Sequence, residues 1–450
     1  MIAENFYRHG FALFYPRINW AGTAPGYVGT EFPLVPFLAA LLYKIFGVQA
    51  WVGRAVSVGF FALSVPVFYR LVRQTSDAHT ALWAVAIYAL TPLGIFASRA
   101  FMPDMASLSL SLVALALFAT WLERAPHAPL FLATSLAVSL AILVKLPAVL
   151  IGVPLLAMAW GKYGVRAVYR RELVVLAALA LSAPLAWYTH AYRISLTYPP
   201  YHFFGTGVLE LVGVEWYLEI AHRLATSSLT PLVAAVTLAG LFVRGHTADA
   251  SVFQWWLLAL LGFIVLAGWG NHEHDWYQLP LVPVAAALAG RACARGFGRV
   301  ARRAGATPAR LGAAIFVAGL ATVSYVCLAP HYEPKRLAWW QAGLELKRVT
   351  PPEALVLIAD YGDPTAFYYS QRHGWHFLQE FGRAPVDSEE AISELEERRR
   401  DGAQYLVFLA PTIVWLERYP AFRAHLEARY RRLREPEACW IFDLRGGGSE

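Results

Sequence analysis

Long apolar runs alternate with short polar connections over the first three-quarters of the chain. About ten of them reach, or nearly reach, the roughly 20 residues with which an α-helix crosses a bilayer. They cover residues 54–71, 80–97, 105–122, 129–144, 146–160, 173–192, 229–243, 252–269, 277–290 and 311–329. The pair 129–160 is tight, with Lys145-Leu146-Pro147 at its tip, and reads as a short helical hairpin. Ahead of these runs, residues 1–53 are rich in Gly, Pro and aromatic residues and read as an external segment. Within it Leu34–Phe46 is apolar over a length too short to cross. That length suits an interfacial or re-entrant helix.

After residue 330 the pattern changes. No run of membrane length follows, charges become frequent, and short alternating elements take over. The stretches 354–359, 405–409 and 439–444 read as strands, and 388–401 and 421–433 as helices. Alternating strands and helices predict a small α/β unit. The expected fold is therefore an all-α polytopic membrane bundle of about ten transmembrane helices over residues 1–330. A small soluble α/β domain follows over 331–450.

Composition agrees. Of 450 residues, 58% are hydrophobic and only 15% charged, where soluble domains hold about a quarter charged residues. The net charge of +7 does not point to nucleic acid, because the basic residues sit mainly in short connections between apolar runs. Arg70 and Arg73, then Lys162, Arg166, Arg170 and Arg171, then Arg291 to Arg310, mark one face as cytoplasmic by the positive-inside bias. An even number of spans then puts both termini of this chain on the external face, as in a bacterial inner membrane protein. The three cysteines, Cys293, Cys327 and Cys439, lie far apart and form no disulfide or metal pattern.

Four polar groups fall on the external face. The first is Arg99 with Asp104 in the connection Ser98–Met105. Charges at the mouth of two membrane helices are costly unless paired or wetted, and usually functional. Pro103 fits a first helical turn, so Asp104 belongs near a helix N-terminus, where a carboxylate is favoured. The second is Glu31, just ahead of the interfacial helix, placed to act as a base or a ligand. The third is Lys145 at the hairpin tip, which either snorkels or meets a lipid phosphate. The fourth is the stretch from Asn271 to Pro280, with His272, His274, Asp275 and Tyr277. Its two histidines are too close in sequence for a recognised zinc pattern.

Five segments resemble the GT-C glycosyltransferases that use polyprenyl-phosphate sugars, a group that includes protein mannosyltransferases and aminoarabinose transferases. They are Glu4–Gly10, Glu31-Phe32-Pro33-Leu34, Arg99–Asp104, Leu143-Val144-Lys145 and His274–Pro280. The resemblance covers residues 1 to about 330, and it also implies a soluble C-terminal domain. By it, Asp104 matches the second acidic motif and Glu31 lies where relatives carry an acidic residue. Many relatives follow that residue with a Lys, where this chain has Phe32. Phosphate binding is then expected on Arg99, Lys145, His272, His274, Asp275 and Tyr277. A divalent metal held by Asp104 with His272 or His274 is a further implication, and no other cofactor is expected. Relatives also carry a membrane helix and an Asp upstream of the segment like Glu4–Gly10. Neither precedes Met1 in this sequence, and Glu4 lies too late to replace that Asp.

The resemblance implies sugar transfer from a polyprenyl-phosphate donor to an acceptor hydroxyl at the periplasmic or lumenal face. The expected partners are that donor, an unidentified acceptor and membrane lipids, and no nucleic acid. Two other classes compete. A transporter or flippase would also carry charges in membrane helices, but here the charges gather on one face and no inverted repeat is visible. An inactive scaffold is the third.

Overall fold

A computed structural model describes residues 1–203, 209–243, 251–333, 336–378, 384–434 and 439–446. Two compact units result. One gathers Met1–Gly29, Ala191–Phe203 and Glu333–Glu450, the other Thr30–His190 and Phe204–Tyr332.

The larger unit is helical. Five helices, among them Ala50–Thr75, Asp104–Arg124 and Arg171–Thr197, are long and apolar enough to cross a membrane. Counting each of two bent pairs as one broken span gives up to seven: Ala78–Leu90 with Pro92–Arg99, at 64°, and Val214–Ser228 with Pro231–Leu241, at 107°. The ten expected spans are not reached among the described residues. Ala128–Val144 and Val252–Leu266 are shorter apolar helices. The run 277–290 is mostly the first half of Leu281–Ala304, whose second half carries four arginines.

Burial separates inner from outer helices. Asp104–Arg124 has 83% of its apolar window buried, against 33% for Ala50–Thr75 and 22% for Arg171–Thr197. The outer helices keep apolar faces that only lipid would cover. The inner helix instead carries small residues that let neighbours approach closely. Ser107 Oγ, for instance, donates to Ala141 O at 2.9 Å on the adjacent helix Ala128–Val144. Asp104 opens this inner helix, so its carboxylate stands at the end of the most enclosed element of the unit.

The smaller unit contains a five-stranded sheet: β1 (Leu355–Ala359), β2 (His373–His376), β3 (Tyr405–Leu409), β4 (Arg431–Arg434) and β5 (Cys439–Asp443). Their order is β2-β1-β3-β5-β4. β2, β1 and β3 are parallel, while β5 runs antiparallel to β3 and β4. Apolar side chains line both faces: Leu357, Leu406 and Phe408 on one, Val356, Ile358 and Val407 on the other. The mixed α/β expectation holds, with two more strands than the sequence pattern indicated. β2 reads His-Gly-Trp-His and β4 Arg-Arg-Leu-Arg, which are edge strands too short and too polar to show alternation. β4 also ends early the helix expected over 421–433; it spans Pro420–Arg429.

Candidate active site

Three backbone features bring the charged residues together. Helix Ala128–Val144 stops where Pro147 has no N–H to donate to Leu143 O; Lys145 is extended, with φ −157° and ψ 119°, and a new short helix opens at Leu146 with Pro147 in its first turn. The last carbonyls of that helix would otherwise lack partners. The Tyr188 hydroxyl reaches Ile142 O and Leu143 O at 3.1 and 3.2 Å, and Phe32 N donates to Leu143 O at 2.9 Å. On the other side of Glu31, Trp187 Nε1 donates to Thr30 O at 3.0 Å. The Phe32 ring meets the Trp187 ring edge-on with centroids 5.0 Å apart. Glu31 is thus pinned from both sides, and Phe32 is a packing residue.

The result is a bridge. Lys145 Nζ lies 3.0 Å from Asp104 Oδ1 and 3.3 Å from Glu31 Oε1, with side-chain exposures of 13%, 4% and 14% for Lys145, Asp104 and Glu31. The same ammonium lies 4.8 Å from the centre of the Tyr277 ring. Burial of such charges is tolerated because each has a partner. Two carboxylates share one ammonium, so one negative charge is left over when all three are ionised. Burial pushes the Glu31 carboxyl above the usual glutamate range, Lys145 opposes this, and the charge of Asp104 adds to it.

Asp104 and Lys145 line a cavity that is partly open to solvent. Trp276 and Tyr277 line it beside them, and Leu108, Ile151, Trp256 and Leu260 make its apolar wall. Glu31 is joined to this cavity through Lys145.

The remaining candidates stand elsewhere. Arg99 rests its guanidinium 3.8 Å from the centre of the Tyr332 ring. Its buried Nε has no hydrogen-bond partner, and no carboxylate pairs with it among the described residues. His272 is turned to Glu219 at 2.9 Å and Glu273 at 3.3 Å, and its hydrogen bond to the Glu219 carboxylate raises its pKa. Asp275 pairs with Arg223 at 2.8 Å. His274 stacks on Trp276 with centroids 4.8 Å apart, and burial, then the charge of Lys145, lower its pKa.

A resident divalent ion does not fit. Among the described residues no three His, Cys, Asp or Glu side chains stand where they could share one. Lys145 fills the space between the two carboxylates, while His272 and His274 are engaged with other partners.

Sequence reasoning missed Trp187, Tyr188, Trp256 and Arg223. The first three sit inside apolar runs, where an aromatic residue reads as lipid-facing. Arg223 falls between apolar runs in a stretch with no motif, and only the structure shows it ending helix Val214–Arg223. A tyrosine in an apolar run gives no signal that its hydroxyl caps another helix.

Residues 30–188 match the family model of dolichyl-phosphate-mannose-protein mannosyltransferases. No curated protein matches the sequence closely. Among solved structures, the chain is similar to ArnT from Cupriavidus metallidurans bound to undecaprenyl phosphate. That match has a TM-score of 0.68 at 15% identity, covering 100% of this chain and 93% of the other. The oligosaccharyltransferase of Archaeoglobus fulgidus follows with a TM-score of 0.64 at 13% identity, covering 91% of this chain and 63% of the other. The arabinofuranosyltransferase AftD from Mycobacteria gives 0.56 at 15% identity, covering 93% and 35%. The architecture of this chain, an apolar helical unit with its acidic bridge followed by a small mixed sheet, is the GT-C glycosyltransferase fold.

Proposed function

We propose that this chain is a membrane glycosyltransferase that moves a sugar from a polyprenyl-phosphate donor to an acceptor hydroxyl at the external membrane surface. The observation that carries the reading is the Lys145 bridge, which holds Glu31 and Asp104 against one ammonium in the wall of a mainly apolar cavity. The ArnT and Archaeoglobus structures are described with undecaprenyl phosphate and dolichol phosphate respectively, which supports a lipid phosphate as carrier here.

The chemistry follows from the charges. A carboxylate at the bridge accepts the acceptor's hydroxyl proton. The freed oxygen attacks the anomeric carbon, the bond from that carbon to the phosphate oxygen breaks, and the polyprenyl phosphate leaves with the bonding pair. Asp104 is the base in this reading. Glu31 shares Lys145 and sets how much of that cation each carboxylate receives. Positioning of the two reactants supplies much of the remaining acceleration.

The leaving phosphate needs a cation that the bridge cannot spare, because Lys145 is already outnumbered by carboxylates. Arg99 is available: it has no carboxylate partner among the described residues, and it is held against Tyr332. We assign it to the phosphate, with the Tyr277 hydroxyl as a further donor. His272 and Asp275 support the wall that carries Tyr277, and His274 stacks within it.

The test is transfer by purified protein in nanodiscs, with labelled polyprenyl-phosphate sugars and a panel of lipid, glycan and peptide acceptors. Formation of a covalent glycoside together with free polyprenyl phosphate is the expected result. Movement of substrate across vesicles with no new glycoside would instead establish a transporter.

A further inference from the structure

Helix Val214–Arg223 is amphipathic. Val214 and Leu218, one turn apart, are 71% and 65% exposed, while Glu215, Glu219 and Arg223 stand on other sides. It bends by 107° from the apolar helix Pro231–Leu241 that follows. This pattern and this bend suit a short helix lying along a membrane surface, with Pro231–Leu241 as the part that enters.

Its inner side is tied to one short segment. The Arg223 guanidinium pairs with Asp275 at 2.8 Å and donates to the backbone carbonyls of Asn271 and His272 at 2.9 and 2.8 Å. Glu219 reaches His272 Nε2 at 2.9 Å, and the Trp216 ring lies on the His272 ring with centroids 4.3 Å apart. Further along, the Tyr217 hydroxyl donates to Val265 O at 2.8 Å. These contacts fall between residues 265 and 275, immediately before Trp276 and Tyr277 of the cavity wall. Gln278 Nε2 returns to the same Asn271 carbonyl at 2.7 Å, so the turn carrying Tyr277 is anchored on an atom that Arg223 also holds.

We propose that Arg223, with Glu219, is a positioning residue: the surface helix sets the Trp276–Tyr277 wall at the height where it receives the lipid-linked donor. The inference rests on the glycosyltransferase reading. Its reach is donor affinity rather than the chemical step, because Arg223 touches neither carboxylate of the bridge. Loss of the tie lets the 268–280 segment shift, and small displacements in a binding wall cost one to two orders of magnitude.

The experiment uses full-length protein in nanodiscs with Arg223→Ala, Arg223→Lys and Glu219→Gln. Three readouts are taken: hydrogen exchange over residues 268–280, binding of polyprenyl phosphate alone, and donor KM and kcat. In Arg223→Ala, exchange over 268–280 should rise while the rest of the protein is unchanged. Polyprenyl phosphate binding should weaken and donor KM rise, each about tenfold, with kcat within a factor of about three. Arg223→Lys keeps the pairing with Asp275 and should recover part of the affinity, and Glu219→Gln should give a smaller effect in the same direction. Unchanged exchange, or raised exchange with unchanged lipid-phosphate binding, overturns the proposal. If wild-type protein transfers no sugar from any donor, the glycosyltransferase reading fails by itself, while exchange and lipid binding still decide the role of Arg223.

Discussion

Lys145 and Glu31, 114 positions apart in the chain, hydrogen-bond at 3.3 Å, and the same ammonium lies 3.0 Å from Asp104. Removing the cation leaves two buried carboxylates facing each other. Breaking a buried pair from one side costs about 3–5 kcal/mol. Lys145→Met should therefore lower the melting temperature and abolish transfer. Adding Glu31→Gln removes one of the stranded charges, so the double variant should regain a good part of the lost stability without regaining activity. A Lys145→Met protein that melts like wild type would show that the bridge contributes nothing to the fold.

Asp104→Asn keeps the shape of the side chain and its place at the end of the inner helix while removing its basicity. A positioned general base is worth roughly 10²–10⁴ in rate, so transfer should fall by that much with melting and donor binding retained. Retained activity would move the base elsewhere, and Glu31→Gln is the comparison that decides where.

The pH profile separates the two carboxylates. Burial raises the Glu31 pKa above the ordinary 4.5, so part of it is protonated where an exposed glutamate is ionised. A protonated Glu31 no longer competes for Lys145. As pH rises through the raised pKa it ionises, and the bridge reaches its full negative charge. Activity should fall as pH drops through that raised pKa, with an inflection above 4.5. Glu31→Gln should remove that inflection. An unchanged profile in Glu31→Gln would assign the acid limb to another group.

Much of this arrangement was legible in the sequence, and the reason is economy of charge. In a chain with so few ionisable residues among apolar runs, Glu31, Asp104, Lys145 and Tyr277 stood out individually, and the structure gathers all four. What the pattern could not supply was pairing. Arg99 is five positions from Asp104, yet it lies on Tyr332, because the turn Ala100–Pro103 sends the two side chains to different partners. His272 and Asp275 look like ligands in sequence, but Glu219 and Arg223, about fifty positions earlier, claim them. The span count erred for a related reason. Hydropathy reads Tyr277–Gly290 as a crossing, whereas the structure makes most of it the first half of a longer helix whose arginines continue beyond it.

Arg99 carries a prediction of its own. A guanidinium stacked on an aromatic ring at 3.8 Å offers a planar set of donors that lysine does not reproduce. Arg99→Lys should therefore raise the donor KM nearly as much as Arg99→Ala, and Tyr332→Leu should do so more weakly. If Arg99→Ala leaves donor KM unchanged, the phosphate is held elsewhere.

In the smaller unit, Glu396 gathers Arg399 at 2.9 Å, His425 at 2.9 Å and the Tyr430 hydroxyl. Burial alone would raise its pKa, but the hydrogen bonds from Tyr430, His425 and Arg399 outweigh it and hold the group at about 2. A depressed carboxyl stabilises the fold above its unfolded pKa and loses that contribution as pH falls from about 4.5 towards 2. Glu396→Gln should lower the stability of this unit near pH 7 by about 1–2 kcal/mol, a modest figure because the group is partly exposed. The gap between variant and wild type should shrink below pH 4. A constant gap across that range would mean that the charge is not what stabilises.

Close helix packing gives the last prediction. A Cβ on Gly240 would lie 2.0 Å from the Leu288 carbonyl oxygen, and one on Gly290 would lie 2.8 Å from Thr80 O and 2.9 Å from Ala84 N. These are backbone atoms, which cannot swing aside as a side chain would. Gly240 and Gly290 therefore let Pro231–Leu241 and Ala78–Leu90 approach Leu281–Ala304 as closely as they do, in the manner of small residues at membrane helix contacts. Gly240→Ala and Gly290→Ala should each cost about 1–3 kcal/mol through overpacking. Gly319, in helix Ala306–Leu328, has nothing within 4 Å of the same added atom. There Gly319→Ala should be neutral or stabilise by up to about 1 kcal/mol, because alanine is the better helix former. Thermal melting of the three variants in one detergent tests the contrast. Equal effects at all three positions would show that helix propensity, and not backbone contact, governs these glycines.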